Sequence, residues 1–129
     1  MTGNNVLADT NVFIEIMKGN ADFAQRLQRC SCVYLSPFVQ AELYFGAYRS
    51  VNVKKHLDKV DTVVKKTKPV IVDSFTAEIF VQIKFSLINK GQPIPENDIW
   101  IAASALQHGL PVFTNDAHFA EVENLQRFF

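Results

Sequence analysis

Short apolar runs that stop abruptly at a polar or acidic residue, with amphipathic stretches between them, limit most strongly how this chain can fold. Val6-Leu7-Ala8 stops at Asp9-Thr10-Asn11, and Val33-Tyr34-Leu35 stops at Ser36-Pro37. Val70-Ile71-Val72 stops at Asp73, and residues 110–114 stop at Asn115-Asp116. Residues 125–128 make a last short run. The first four, brief and mostly apolar, read as strands buried on both faces, and residues 125–128, which include Gln126 and Arg127, are a candidate fifth.

The stretches between them have helical spacing. Val12, Phe13, Ile16 and Met17 recur on one face before Gly19, and Asn20 is placed to cap a helix over 21–29. Ser36-Pro37 puts a capping hydroxyl and an N1 proline at the start of a helix reaching about Ser50. A helix over 53–67 turns Leu57, Val60, Val63 and Val64 inward and most of its lysines outward. Asp73 or Ser74 caps the next, which ends at Lys90-Gly91, and Asn97 is expected to cap one over 98–108. Strands alternating with helices predict an α/β fold: a mostly parallel sheet with helices on both faces. Ligands of such sheets sit beyond the carboxyl ends of the strands, where strand order reverses.

The chain has 129 residues, suited to a single domain over 1–129, and no linker or repeat divides it. Thirteen Lys+Arg balance thirteen Asp+Glu, so bulk electrostatics cannot hold a nucleic acid; a local patch or bound metal ions must do it. Lys54, Lys55, Lys65 and Lys66 with Arg49 are either an RNA-steering strip or simply a solvated helix face. No apolar run approaches the ~20 residues of a membrane helix, and Met1-Thr2-Gly3-Asn4-Asn5 lacks a positive leader, so the expectation is a cytoplasmic protein. Cys30 and Cys32 stand too close for an ordinary disulfide and read as packing residues.

Four acids occupy unusual places. Asp9 and Asp116 follow buried strands, Asp98 opens a helix beside Ile99, Trp100 and Ile101, and Glu42 lies within the apolar stretch 38–45. Singly, each has an ordinary role as cap, turn former or solvent-facing residue. Together, at the strand ends of a parallel sheet, they project into one crevice. Carboxylates held close repel one another unless a cation neutralises them, and Mg²⁺ or Mn²⁺ suits an all-oxygen site.

Leu7-Ala8-Asp9-Thr10-Asn11, residues 41–47 (AELYFGA) with Ser50, residues 97–103 (NDIWIAA), and Thr114-Asn115-Asp116 with Phe119 resemble the ordered motifs of PIN domains. More narrowly they are similar to the VapC-type toxins of bacterial toxin–antitoxin pairs, over residues 6–125. The resemblance implies a PIN-like three-layer fold with strand order 3-2-1-4-5 and a Mg²⁺-dependent endoribonuclease, with Mn²⁺ as a substitute. It also implies a homodimer and a VapB-type antitoxin, and it suggests a structured RNA substrate such as tRNA. By position it makes Asp9, Glu42, Asp98 and Asp116 the catalytic and metal-holding set, with Asp9 and Asp98 the pair most directly tied to metal and Asn11 and Thr114 as supporting polar residues. An antitoxin is expected to lay an apolar peptide along the N-terminal helices and set a basic side chain among the acids. Val39 departs from the pattern, since many relatives carry Ser or Thr three residues before the helix glutamate.

The implied chemistry is hydrolysis assisted by one or two metal ions, leaving a 5′-phosphate and a 3′-hydroxyl. The rivals are a silent PIN-like module that binds RNA or protein, and a metal-dependent DNA nuclease. Around the acids, Glu15, Glu96 and His118 read first as ordinary surface residues; the site readings set against this are that Glu15, on a helix face with Asn11, overhangs the site, that Glu96 reaches a metal through water, and that His118 touches substrate. Asp73 reads as a cap, His108 as a helix-end charge, and Phe13, Phe45 and Tyr48 as candidates for a partner surface.

Overall fold

A computed structural model describes residues 4–129. The reading of Met1-Thr2-Gly3 as part of a leaderless start lies outside the described residues. The chain runs β1 (Asn5–Ala8), α1 (Thr10–Met17), α2 (Ala21–Gln28), β2 (Cys32–Leu35), α3 (Pro37–Tyr48) and α4 (Val53–Val64). It continues through β3 (Lys68–Pro69), α5 (Ser74–Asn89), α6 (Glu96–His108), β4 (Val112–Phe113), a 3₁₀ turn (Ala117–Glu121) and β5 (Arg127–Phe128). The strands form one sheet in the order β3-β2-β1-β4-β5, and every pairing is parallel. Successive crossovers move outward from β1 to β3, and the chain then returns to the other side of β1 as β4. The order therefore reverses between β1 and β4, and the crevice lies beyond their carboxyl ends.

β1 is the buried centre, with Val6, Leu7 and Ala8 fully covered, as are Val12 and Phe13 of α1 and Val112 and Phe113 of β4. Truncating a side chain such as Leu7 to alanine in so tight a core costs roughly 2–5 kcal/mol. The caps follow local chemistry. Ser36 Oγ accepts from Val39 N–H at 3.1 Å, with Pro37 at N1. Asp73 and Thr76 form a capping box on α5.

Three expectations need correction. The third strand is Lys68–Pro69, not Val70-Ile71-Val72. Its partner β2 ends at Leu35, paired with Pro69, and the next residues turn into α3, so beyond the Val70 N–H bond to Leu35 O there is no ladder left. The fourth and fifth strands likewise shorten to two residues each. α6 begins at Glu96 with Pro95 at the N-cap, not at Asp98 with Asn97 as cap. The Pro95 carbonyl accepts from Asp98 N–H at 3.1 Å and Ile99 N–H at 3.2 Å, which starts the helix two residues early.

Candidate active site

The end of β1 hands Asp9 to the N-cap of α1, where only 4% of the residue is exposed. Its Oδ1 accepts from Thr10 N–H at 2.7 Å, and its Oδ2 from the Thr114 hydroxyl at 2.9 Å. Burial pushes its pKa up to about 6 from 3.8, against the pull of those two hydrogen bonds, and the charges of Asp98 and Asp116 push the same way. Thr114 is buried at the end of β4 and also accepts from Asp116 N–H at 2.9 Å. One hydroxyl thus ties the ends of the two central strands together.

Asp116 caps the 3₁₀ turn, its Oδ1 accepting from His118 N–H at 2.9 Å. Asp98 stands in the first turn of α6 but makes no capping bond there, because Pro95 has taken that role. Its carboxylate instead accepts from His118 Nδ1 at 3.0 Å, and the same nitrogen lies 3.3 Å from Asp116 Oδ1. Burial raises the Asp98 pKa; His118 opposes this, while the charges of Asp116 and Glu42 add to it. Glu42, half-buried on α3, accepts from the Thr10 hydroxyl at 3.2 Å.

All four acids therefore meet at the switch point, linked by Thr10, Thr114 and His118. Among the described residues no lysine or arginine forms an ion pair with any of them. Thr10 was missed in the sequence, although it sits inside the Asp9-Thr10-Asn11 triplet. It supplies the polar neighbour of Glu42 that Val39, fully buried in the core, does not.

Other candidates fall elsewhere. Asn11 is exposed and forms no hydrogen bond to the four carboxylates, so the supporting contacts come from Thr10 and Thr114. Glu96 is drawn away to Lys84 at 2.8 Å, which leaves it no part in the cluster. Glu15 is half-buried on α1 and bonded to none of the acids. Asp73 caps α5 as expected, and His108 meets Ile71 O through Nε2 at 2.8 Å. Phe13 is core rather than partner surface, because α1 turns it inward onto the sheet, whereas Phe45 and Tyr48 are exposed. Lys54 pairs with Asp58 on the solvated side of α4.

The donors suit a divalent cation. The ligand atoms of Asp98, Asp116 and His118 all lie within 4.8 Å of one another, and unneutralised carboxylates line the remaining side. The family model for the PIN domain matches residues 6–125.

The chain belongs to the PIN-domain family.

Among curated relatives of this PIN domain, Ribonuclease VapC2 of Haemophilus influenzae is 30% identical over 112 residues, covering 85% of each chain. Among solved structures it is similar to VapBC-5 of Mycobacterium tuberculosis, described as a member of the VapBC family of toxin–antitoxin systems. That match has 25% identity and a TM-score of 0.74, over 96% of this chain and 98% of the other. VapBC2 of Rickettsia felis, bound to a promoter DNA fragment, superimposes with a TM-score of 0.90 over 96% and 97% of the two chains. At 21% identity that likeness is one of fold alone.

Proposed function

We propose that this PIN domain, a single domain over residues 1–129, is a Mg²⁺-dependent endoribonuclease and the cytoplasmic toxin of a VapBC-type pair. One observation carries the reading: four carboxylates from four separate elements converge at the switch point, and among the described residues no lysine or arginine pairs with them. That is a costly arrangement unless a cation completes it. The relatives called ribonucleases agree with it, and two free thiols suit a reducing compartment.

Asp98 and Asp116 would hold the cation, with Asp9 behind them pinned by Thr114 and Thr10. A Mg²⁺ or Mn²⁺ ion in this place supplies positive charge to the scissile phosphate and acidity to a water. Glu42 has Oε1 engaged by Thr10, which leaves Oε2 to receive a proton or orient that water. Hydrolysis of the P–O3′ bond leaves a 5′-phosphate and a 3′-hydroxyl. Cleavage of structured RNA, tRNA included, should need Mg²⁺ or Mn²⁺, stop with EDTA, and yield 3′-hydroxyl ends. Full activity in EDTA or a 2′,3′-cyclic phosphate would overturn this. Metal binding without any cleavage would favour a silent binding module, and cutting of DNA alone a DNA nuclease.

Two surfaces support the partners. An apolar cleft of about 410 Å³ between α1, α3 and α4 is lined by Ile14, Met17, Leu43, Ala47 and Val60, and Glu42 forms part of its wall. An antitoxin peptide lying there would carry a basic side chain straight to the acids. On α5, Val81, Phe85 and Ile88 form an exposed apolar stripe with Phe75 at its edge, which suits a homodimer. Phe85→Glu should convert a dimer to monomers in sedimentation. A monomeric wild type would remove the dimer from the reading.

A further inference from the structure

We propose that His118 is itself a metal ligand, through Nδ1, making this an oxygen-and-nitrogen site that favours Mn²⁺ over Mg²⁺. The inference rests on the reading of the acid cluster as a cation site, and it adds a donor that the four acids do not include. Among the His, Cys, Asp and Glu side chains of the described residues, Asp98, Asp116 and His118 are the set of three whose ligand atoms all lie within 4.8 Å of one another. Asp9 and Glu42 stand outside it.

The spacing has a meaning. Adjacent ligands of an octahedral ion bound at 2.0–2.1 Å lie about 2.9 Å apart. His118 Nδ1 is 3.0 Å from Asp98 Oδ2 and 3.3 Å from Asp116 Oδ1, close to two such edges meeting at one nitrogen. The imidazole is also held in position. Its own backbone N–H is fixed by Asp116 Oδ1 at 2.9 Å, and the next residue, Phe119, is fully buried. Its side chain is 48% exposed, so water can meet Nε2.

As it stands here, Nδ1–H donates to Asp98 Oδ2, with Asp116 Oδ1 close beside it. Ligation needs only the other neutral tautomer, with the proton on Nε2 and the Nδ1 lone pair directed between Asp98 and Asp116. Imidazole is a poorer partner for hard Mg²⁺ than for a first-row transition ion, so a nitrogen here shifts the preference toward Mn²⁺.

The test uses the full chain with Mn²⁺ alone and no nucleic acid. Pulsed electron paramagnetic resonance of the Mn²⁺-loaded protein should show ¹⁴N coupling from a directly bound imidazole, absent in both His118→Ala and His118→Asn. By calorimetry these variants should lose at least the roughly 10-fold in Mn²⁺ affinity that removing even an outer partner costs. Mg²⁺ affinity should fall by a smaller factor. Because the coupling is read on the wild type, a variant that folds poorly does not spoil the result. Mn²⁺ bound without ¹⁴N coupling would overturn the His118 ligand and leave the cation site standing, and equal losses for the two ions would overturn the preference for Mn²⁺. A wild-type protein that binds neither ion would overturn both readings.

Discussion

Asp9 and Asp73 begin alike and end as opposites. Asp9 directly follows β1, Asp73 comes three residues of loop after β3 of the same parallel sheet, and each caps the helix that comes next. Asp73 sits in the open, where Gln107 donates to it at 2.9 Å and Phe75 N–H and Thr76 N–H complete its cap. The Gln107 bond first, then the backbone bonds, hold its pKa below the usual carboxylate range. Asp9 is buried among other acids, and its two hydrogen bonds do not offset that burial, so its pKa rises to about 6. Donors make an acid comfortable in its charged form; burial beside like charges leaves it in need of a cation. The position of the strand decides which happens: β3 lies at the sheet edge, β1 at the switch point.

The sharpest way to break this comparison is to neutralise one member at a time. Asp9→Asn and Asp98→Asn should each lower RNA cleavage by roughly 10²–10³ or more, the scale of losing a group that stabilises transition-state charge. Asp73→Asn should leave the rate of the folded enzyme unchanged. Single-turnover assays at saturating Mg²⁺ check this, and equal losses at Asp9 and Asp73 would erase the distinction.

Stability should separate the two acids next, and with opposite signs. The folded pKa of Asp9 lies above its unfolded value, so between about 4 and 6 the native state holds a proton that the unfolded chain has released. Its contribution is therefore most favourable below pH 4, falls as pH rises to about 6, and stays low above that, a change of at most roughly 3 kcal/mol. Asp73 has a lowered pKa, so its contribution is present above the ordinary carboxylate pKa and fades as pH falls through its own. Metal-free Asp9→Asn should be more stable than wild type at pH 7 by roughly 1–2 kcal/mol, less than the full penalty because Thr114 loses its acceptor. That gain should shrink toward pH 4 and disappear in saturating Mg²⁺. Urea titrations across this range measure it, and a gain independent of pH would contradict the burial account.

Asp73→Ala should destabilise the fold through loss of the cap, read as a lower urea midpoint with no change in metal affinity. The smallest effect is expected at Thr10→Val, which removes the hydroxyl held against Glu42. It should cost about 0.5–1.5 kcal/mol in stability and lower the rate modestly by letting Glu42 move. A rate loss as large as that of Asp9→Asn would show that Thr10 touches substrate.

Much of this architecture was legible in the chain because its signals are local. Ser36-Pro37 names a helix start on its own chemistry, and Asn20 and Asp73 cap where they were expected to. The four acids stood out because each interrupts an apolar context. Lys68–Pro69 was not legible as a strand, nor Val70-Ile71-Val72 as a loop: a strand ends where its partner ends, and β2 stops at Leu35. Glu96 gave no hint that Lys84, twelve residues away, would claim it.

The sequence by itself determined the alternation of strand and helix, the neutral net charge and the spacing of the acids, because periodicity and composition survive without a fold. The tertiary structure alone decided that Thr10 would reach Glu42, that Thr114 would bridge Asp9 and Asp116, and that His118 would stand between Asp98 and Asp116. Those contacts span up to 105 residues of chain. They depend on β4 returning to the side of β1, a choice made by the packing of the whole sheet and by no residue near the site.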